Sequence, residues 1–141
     1  MSRLNTYEVF MTEPIEIYVD GGSRGNPGPS ACAFVIPKLN RCASKFLGAR
    51  TNNEAEYCAL LLALTYAVSQ AWTRVRVFSD SQLVVKQLNG EFAIREPRIQ
   101  VQVDTVRGWI SKFDSFEITL IKRNKNREAD KLCNAELNRH A

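Results

Sequence analysis

The sequence predicts a mixed α/β domain on one central five-stranded sheet whose first three strands form an antiparallel meander. Three observations lead there. Strand-type patterning occurs three times before any helical pattern. Helical and strand patterns then alternate, in the order βββαβααβα. No repeat, low-complexity tract or linker interrupts the 141 residues, a length that fits one domain. Residues 1–14 are weakly patterned and read as an arm, leaving 15–141 as the domain.

Ile15, Ile17 and Val19 alternate with Glu16, Tyr18 and Asp20, a strand ending in an acid. Residues 21–29, GGSRGNPGP, are dense in turn formers. The apolar run 31–36 stops at Pro37, a short polar connection passes Asn40 and Arg41, and residues 42–48 form a third strand ending at Gly48. Three strands in succession predict an antiparallel meander. A long helix follows, with Ala55, Cys58, Ala59, Leu62, Ala63 and Tyr66 at helical spacing. Leu60, Leu61 and Leu64 widen that stripe until the helix is apolar on most sides, and so buried on most sides. Thr51 or Asn52 is its N-cap, with Glu54 or Glu56 in the first turns.

Residues 74–78 alternate again as a fourth strand, ended by Ser79-Asp80. A short helix over 81–88 stops at Asn89-Gly90. Pro97 suits the first turn of the next helix, which keeps Ile99, Val103, Val106, Ile110 and Phe113 on one face. Phe116, Ile118 and Leu120 alternate as a fifth strand. The basic loop 122–127 leads into a last helix with Ala129, Leu132, Cys133 and Leu137 on its core side.

With 19 basic and 15 acidic residues the net charge is +4, which suits a polyanionic partner without establishing one. Cys32, Cys42, Cys58 and Cys133 show no paired spacing, which argues against a zinc site. Cys58 and Cys133 read as small core residues. Cys32 and Cys42 could meet across adjacent strands, although free thiols are the expectation. No signal peptide is visible and no apolar run approaches the ~20 residues of a membrane span. A cytoplasmic, monomeric protein is expected. Trp72 and Trp109 read as packing residues rather than stacking platforms.

Strand ends and helix starts are where α/β sheets present side chains to ligands. Asp20 and Asp80 end the first and fourth strands, and Glu56 and Asp130 lie in the first turns of two helices. Each alone has an ordinary reading. Asp80 with Ser81 could cap a helix, Asp20 could serve a turn, and Glu56 and Asp130 could be helix-start charges. Together, four acids without obvious Lys or Arg partners would repel one another. A divalent cation relieves that repulsion, and an all-oxygen ligand set selects Mg²⁺ or Mn²⁺ over zinc.

The motifs carrying these acids resemble the type 1 ribonuclease H family. IYVDGGSRGNPGP (17–29), TNNEAEYCALLLAL (51–64), SDSQLVVKQLNG (79–90) and NREADKLCNAEL (126–137) stand in that family's order. The similarity covers roughly 15–138 and implies the ribonuclease H-like fold, a five-stranded mixed sheet of three antiparallel strands then two parallel ones, with helices on both faces. It also implies hydrolysis of the RNA strand of RNA–DNA hybrids with two divalent metal ions, Mg²⁺ or in its place Mn²⁺, leaving 5′-phosphate and 3′-hydroxyl ends. By the same resemblance Asp20, Glu56, Asp80 and Asp130 are metal-binding acids. Gly21, Gly22 and Ser23 lie along the RNA strand, with glycine leaving room for 2′-hydroxyls. Asn26, Asn52, Asn53 and Gln82 touch the minor groove and backbone of the hybrid, and Thr51 holds a phosphate of the DNA strand.

The chain departs from much of the family in two places. The loop before the last helix lacks a histidine. The one His, His140, is a tail residue, and Arg123 stands where a branch without that histidine carries arginine, implying a phosphate or product-release role. GEFAIRE (90–96) is too short for the basic protrusion of some members. Lys86, Arg95, Arg98 and Arg107 could compensate in part, although a solvated face is the preferred reading. Other functions on the same fold are a non-catalytic nucleic-acid-binding module, or a nuclease acting on double-stranded RNA or DNA.

Overall fold

The computed structural model describes residues 13–141, so most of the expected arm lies outside the described residues. The elements are β1 (Ile15–Ser23), β2 (Gly28–Ile36), β3 (Arg41–Arg50), α1 (Asn52–Ser69), β4 (Arg74–Ser79), α2 (Gln82–Leu88), α3 (Pro97–Ile110), β5 (Ser115–Leu120) and α4 (Arg127–Arg139). They form one sheet ordered β3-β2-β1-β4-β5. The β1–β2 and β2–β3 pairs are antiparallel, and β1–β4 and β4–β5 are parallel. The meander is the one the patterning predicts, and the parallel extension is that of the fold the family resemblance implies.

Helices cover both faces. The larger core packs α1 and α3 on the face carrying Ile15, Ile17, Val19, Phe34, Val75 and Val77. On the other face Cys133 and Leu137 of α4 pack on Ala31 and Ala33 of β2. Small residues there let α4 lie close to the strand, and Cys133 Sγ reaches the Ala31 carbonyl at 3.3 Å. Ala55, Ala59, Leu60, Ala63, Leu64 and Ala67 of α1 are buried, with Cys58, Leu61, Leu62 and Tyr66 packed at their margin.

Two strands run further than the patterning suggests. β1 continues past Asp20 through Gly21, Gly22 and Ser23, which pair with Cys32, Ala31 and Ser30. The turn shrinks to residues 24–27, because the glycines are extended strand rather than loop. β3 does not end at Gly48. A register shift between Ser30 and Ala31, with Gly48 at φ 73°, forms a bulge that carries the strand to Arg50. That extension brings the chain to the N-cap of α1.

All four cysteines are free, and Cys42 lies opposite Val35 rather than Cys32. Trp72 and Trp109 pack against the main core, and Trp72 meets Tyr66 edge-on. His140 stacks on Phe46 of β3, 4.0 Å between ring centroids. Among the described residues, no helix is long and apolar enough to cross a membrane.

Candidate metal centre

The parallel pairing of β1 with β4 puts Asp20 and Asp80 at the same edge of the sheet. Asp20 is in the strand itself, not in a turn. Asp80 is released from capping because the Ser81 side chain accepts the Val84 N–H and caps α2. Glu56 arrives from α1, whose start is fixed by a capping box. The Thr51 side chain accepts the Glu54 N–H, and the Glu54 carboxylate accepts the Thr51 N–H at 3.1 Å.

The approach of α1 to β1 depends on Gly21. A Cβ there would lie 2.2 Å from the Ala55 carbonyl oxygen. Without it the Gly21 N–H donates to Glu56 Oε1 at 3.3 Å. At Gly21, which also lines the cavity of the acids, helix backbone fills the space a Cβ would take, a demand for glycine separate from the expected place along the RNA strand. At Gly22 the nearest atom to a Cβ would be Asn52 Oδ1 at 3.9 Å, and room remains.

Ligand oxygens of Asp20, Glu56 and Asp80 all lie within 4.8 Å of one another. Asp130, in the first turn of α4, lines the same cavity with Gly22, Asn52 and Arg123. Burial, then the charges of Asp80 and Asp130, push the Asp20 carboxyl up to about 8. Burial, then Asp20 and Asp80, hold Glu56 well above its ordinary value. Asp80 is raised chiefly by burial, which the Asn126 hydrogen bond and the Arg123 charge oppose. Among the described residues no ion pair reaches Asp20, Glu56 or Asp80. Protons or a cation must balance such a cluster, and its hard oxygen donors fit a divalent ion.

The other expected residues are distributed unevenly. Ser23 and Asn52 line the cavity, and the Ser23 N–H donates to Asn52 Oδ1 at 3.3 Å. The Ser23 hydroxyl is engaged with backbone, donating to the Arg50 carbonyl at 2.9 Å. Asn26 Oδ1 accepts the Asn52 N–H at 2.9 Å, so the turn is tied to the start of α1. Thr51 is the cap, Asn53 is half-buried, and Gln82 is exposed at the start of α2; none of the three lines the cavity. Arg123 is 84% exposed and reaches to 4.0 Å from Asp130. Of the four cations considered as a compensating surface, Lys86 pairs with Glu91, Arg98 with Glu54, and Arg107 donates to the Gln87 carbonyl.

Two residues have tertiary partners that the sequence reading did not supply. Glu54, 4% exposed, accepts from Thr51 and pairs with both Arg50 and Arg98. Asn126, 1% exposed, donates to the Val19 carbonyl at 2.8 Å and lies 3.5 Å from Asp80 Oδ2. Its place just before the last helix was a visible signal, but for a cap, not for a bond across the sheet.

The sheet order and the converging acids define a domain of the ribonuclease H-like class. Residues 19–136 match the family model described as "Reverse transcriptase-like". Ribonuclease HI of Halobacterium salinarum is 36% identical over 127 residues, covering 87% of this chain and 64% of that protein. The crystal structure of ribonuclease H1 from that archaeon superposes with a TM-score of 0.84 at 35% identity, covering 89% of this chain and 98% of that one. LC11 ribonuclease H1, solved in complex with an RNA/DNA hybrid, gives 0.82 at 32% identity, covering 89% and 97%. A bifunctional protein of Mycobacterium tuberculosis is 33% identical over 85% of this chain, which spans 34% of its length. The chain belongs to the ribonuclease H family.

Proposed function

We propose that this protein is an endoribonuclease that hydrolyses the RNA strand of RNA–DNA hybrids, leaving 5′-phosphate and 3′-hydroxyl ends. The observation that carries the reading is the trio Asp20, Glu56 and Asp80, close enough to share a cation and, among the described residues, met by no ion pair. The hybrid in the LC11 complex supports the substrate class.

Asp20, Glu56, Asp80 and Asp130 would hold two Mg²⁺ ions, or Mn²⁺ in their place, once substrate is bound. When bound, such ions supply Lewis acidity on both sides of the scissile phosphate. The protein orients the rest. Gly22, Ser23 and Asn52 form one wall of the cavity, and the RNA strand lies along it. Asn26 and Asn52 each have Oδ1 occupied by a backbone N–H, which leaves their Nδ2 groups as donors toward the hybrid. Gly21 lies along the RNA strand beside them, with its N–H donated to Glu56. Asn53, Gln82 and the Thr51 hydroxyl meet the hybrid beyond the cavity, Thr51 on the DNA strand. Arg123 contacts phosphate or product through its guanidinium. None of these groups reads a base pattern, so sequence preference is slight. The protein acts as a cytoplasmic monomer.

A panel of RNA–DNA hybrid, double-stranded RNA, double-stranded DNA and single strands, with Mg²⁺ or with chelator, tests the reading. Only hybrid RNA should be cut, and only with metal. Asp80→Asn should reduce the rate by about 10³-fold or more while the protein stays folded. Equal cleavage of double-stranded RNA would overturn the substrate assignment, and hybrid binding without cleavage would favour a binding module.

A further inference from the structure

We propose that Asn126 is the positioning residue that sets the acid cluster, its side chain tying the end of β1 to Asp80 while its backbone starts the helix that carries Asp130. What the cluster does rests on the function proposed above; that Asn126 organises it rests on its burial and its contacts.

Asn126 precedes α4 at the N-cap position, where an Asn side chain ordinarily accepts an N–H from the first turn. Here the side chain makes no such bond. It turns into the protein, where it is 1% exposed. Its Nδ2 donates to the Val19 carbonyl at 2.8 Å, across 107 residues of sequence. That carbonyl belongs to the peptide leading into Asp20, so the bond fixes the strand end from which Asp20 projects. The same Nδ2 lies 3.5 Å from Asp80 Oδ2, the outer limit of a hydrogen bond, and so reaches the acid that follows β4. The Asn126 carbonyl accepts the Asp130 N–H at 3.1 Å, the helical bond that orients the fourth acid's backbone.

One buried residue thus touches the supports of three acids drawn from β1, the end of β4 and α4. Giving up a local cap for a long-range bond is a break with local preference of the sort that marks functional sites. The arrangement matches the role of outer hydrogen bonds that orient carboxylate ligands. Asn126 Oδ1 is buried without a partner among the described residues, so the side chain is held by its donor end alone.

The test compares Asn126→Ala and Asn126→Ser with the parent protein. The Asn126 side chain gives α4 no cap bond, and serine is itself a favoured N-cap residue, so N126S keeps the backbone start of α4 and loses only the reach to Val19 and Asp80. Mn²⁺ binding to the free protein is followed by loss of the free-ion EPR signal, and hybrid cleavage by kcat and KM. Both variants should weaken Mn²⁺ binding by about 10–100-fold. The kcat at fixed Mg²⁺ should fall in parallel, and KM for hybrid should change less than about threefold, because Gly22 and Asn52 are untouched. A folded N126S with the parent's Mn²⁺ midpoint overturns the proposal. So does loss of cooperative unfolding in both variants, which would make Asn126 a requirement of the fold instead. If the parent itself fails to cleave hybrid, the hydrolytic reading falls, while the Mn²⁺ midpoint still decides the role of Asn126.

Discussion

Glu54 and Glu56 stand two residues apart on α1, both nearly buried, and their surroundings give them opposite fates. Glu54 faces a corner of the fold that completes it. Burial raises its carboxyl, but the Thr51 hydrogen bonds and the charges of Arg98 and Arg50 outweigh burial and leave it below the ordinary carboxylate range. Glu56 faces Asp20 and Asp80, receives one N–H from Gly21, and is left well above that range. A buried acid with its counter-charges supplied by the chain is a structural part. A buried acid placed among other acids waits for something the chain does not supply. The helix turn is the same; the elements it faces decide the role.

Exchanging each carboxylate for its amide breaks the comparison most sharply. Glu56→Gln should lower hybrid cleavage by about 10³-fold or more, with no loss of thermal stability in chelator, because it removes repulsion. Glu54→Gln should leave kcat within about twofold and cost roughly 1–2 kcal/mol in chemical denaturation, because two arginines lose their partner and the capping box loses its charge. Steady-state kinetics and urea unfolding of the two variants side by side check both. Similar activity in the two would show that the acids are not divided in this way.

The residue between them sharpens the point. The Ala55 carbonyl occupies the place where a Cβ on Gly21 would stand, at 2.2 Å. Gly21→Ala must push β1 and α1 apart, at a cost of about 3 kcal/mol or more. Gly22→Ala, with 3.9 Å to its nearest atom, should cost under about 0.5 kcal/mol. Equal destabilisation by the two would mean that close packing is not what glycine serves at Gly21.

The sequence made the acid cluster legible because each member sits in its own local signature: a strand end, a helix start, a strand-to-helix turn. It made the sheet legible through alternation, and the neighbouring of β1 and β4 was the one condition needed to unite Asp20 with Asp80. The unread features share a physical cause. Glu54 has a local partner in Thr51, but Arg98 lies on another helix. The side chain of Asn126 bonds a carbonyl 107 residues away. The need for Gly21 arises from a helix more than thirty residues downstream, with 35 separating it from Glu56. Tertiary partners of this kind leave no periodicity. The strand extensions through Gly22 and Gly48 were hidden for the converse reason, since glycine signals a turn locally while pairing across the sheet decides otherwise.

The smallest expected effect is a difference in pH dependence between the two regions. Glu54 is lowered on folding, so its contribution to stability is present above the ordinary value of 4.5 and is lost as pH falls through its folded value. Asp20 is raised from 3.8 to about 8, so the folded protein holds that proton more tightly than the unfolded chain. Its contribution is greatest below 3.8 and is lost progressively as pH rises toward about 8. In chelator the protein should therefore be most stable on the acid side, with Tm falling between pH 5 and pH 8 and levelling beyond. Mg²⁺ should shrink that fall, since a cation takes over from the proton and binds better as the acids ionise. Asp20→Asn should shrink it without metal. Glu54→Gln should leave it in place while blunting the loss of stability below pH 4.5. Calorimetric melts across that range, with and without Mg²⁺, make the measurement, and a Tm in chelator that is flat from pH 5 to pH 8 would show that the repulsion among Asp20, Glu56 and Asp80 is dissipated in solution.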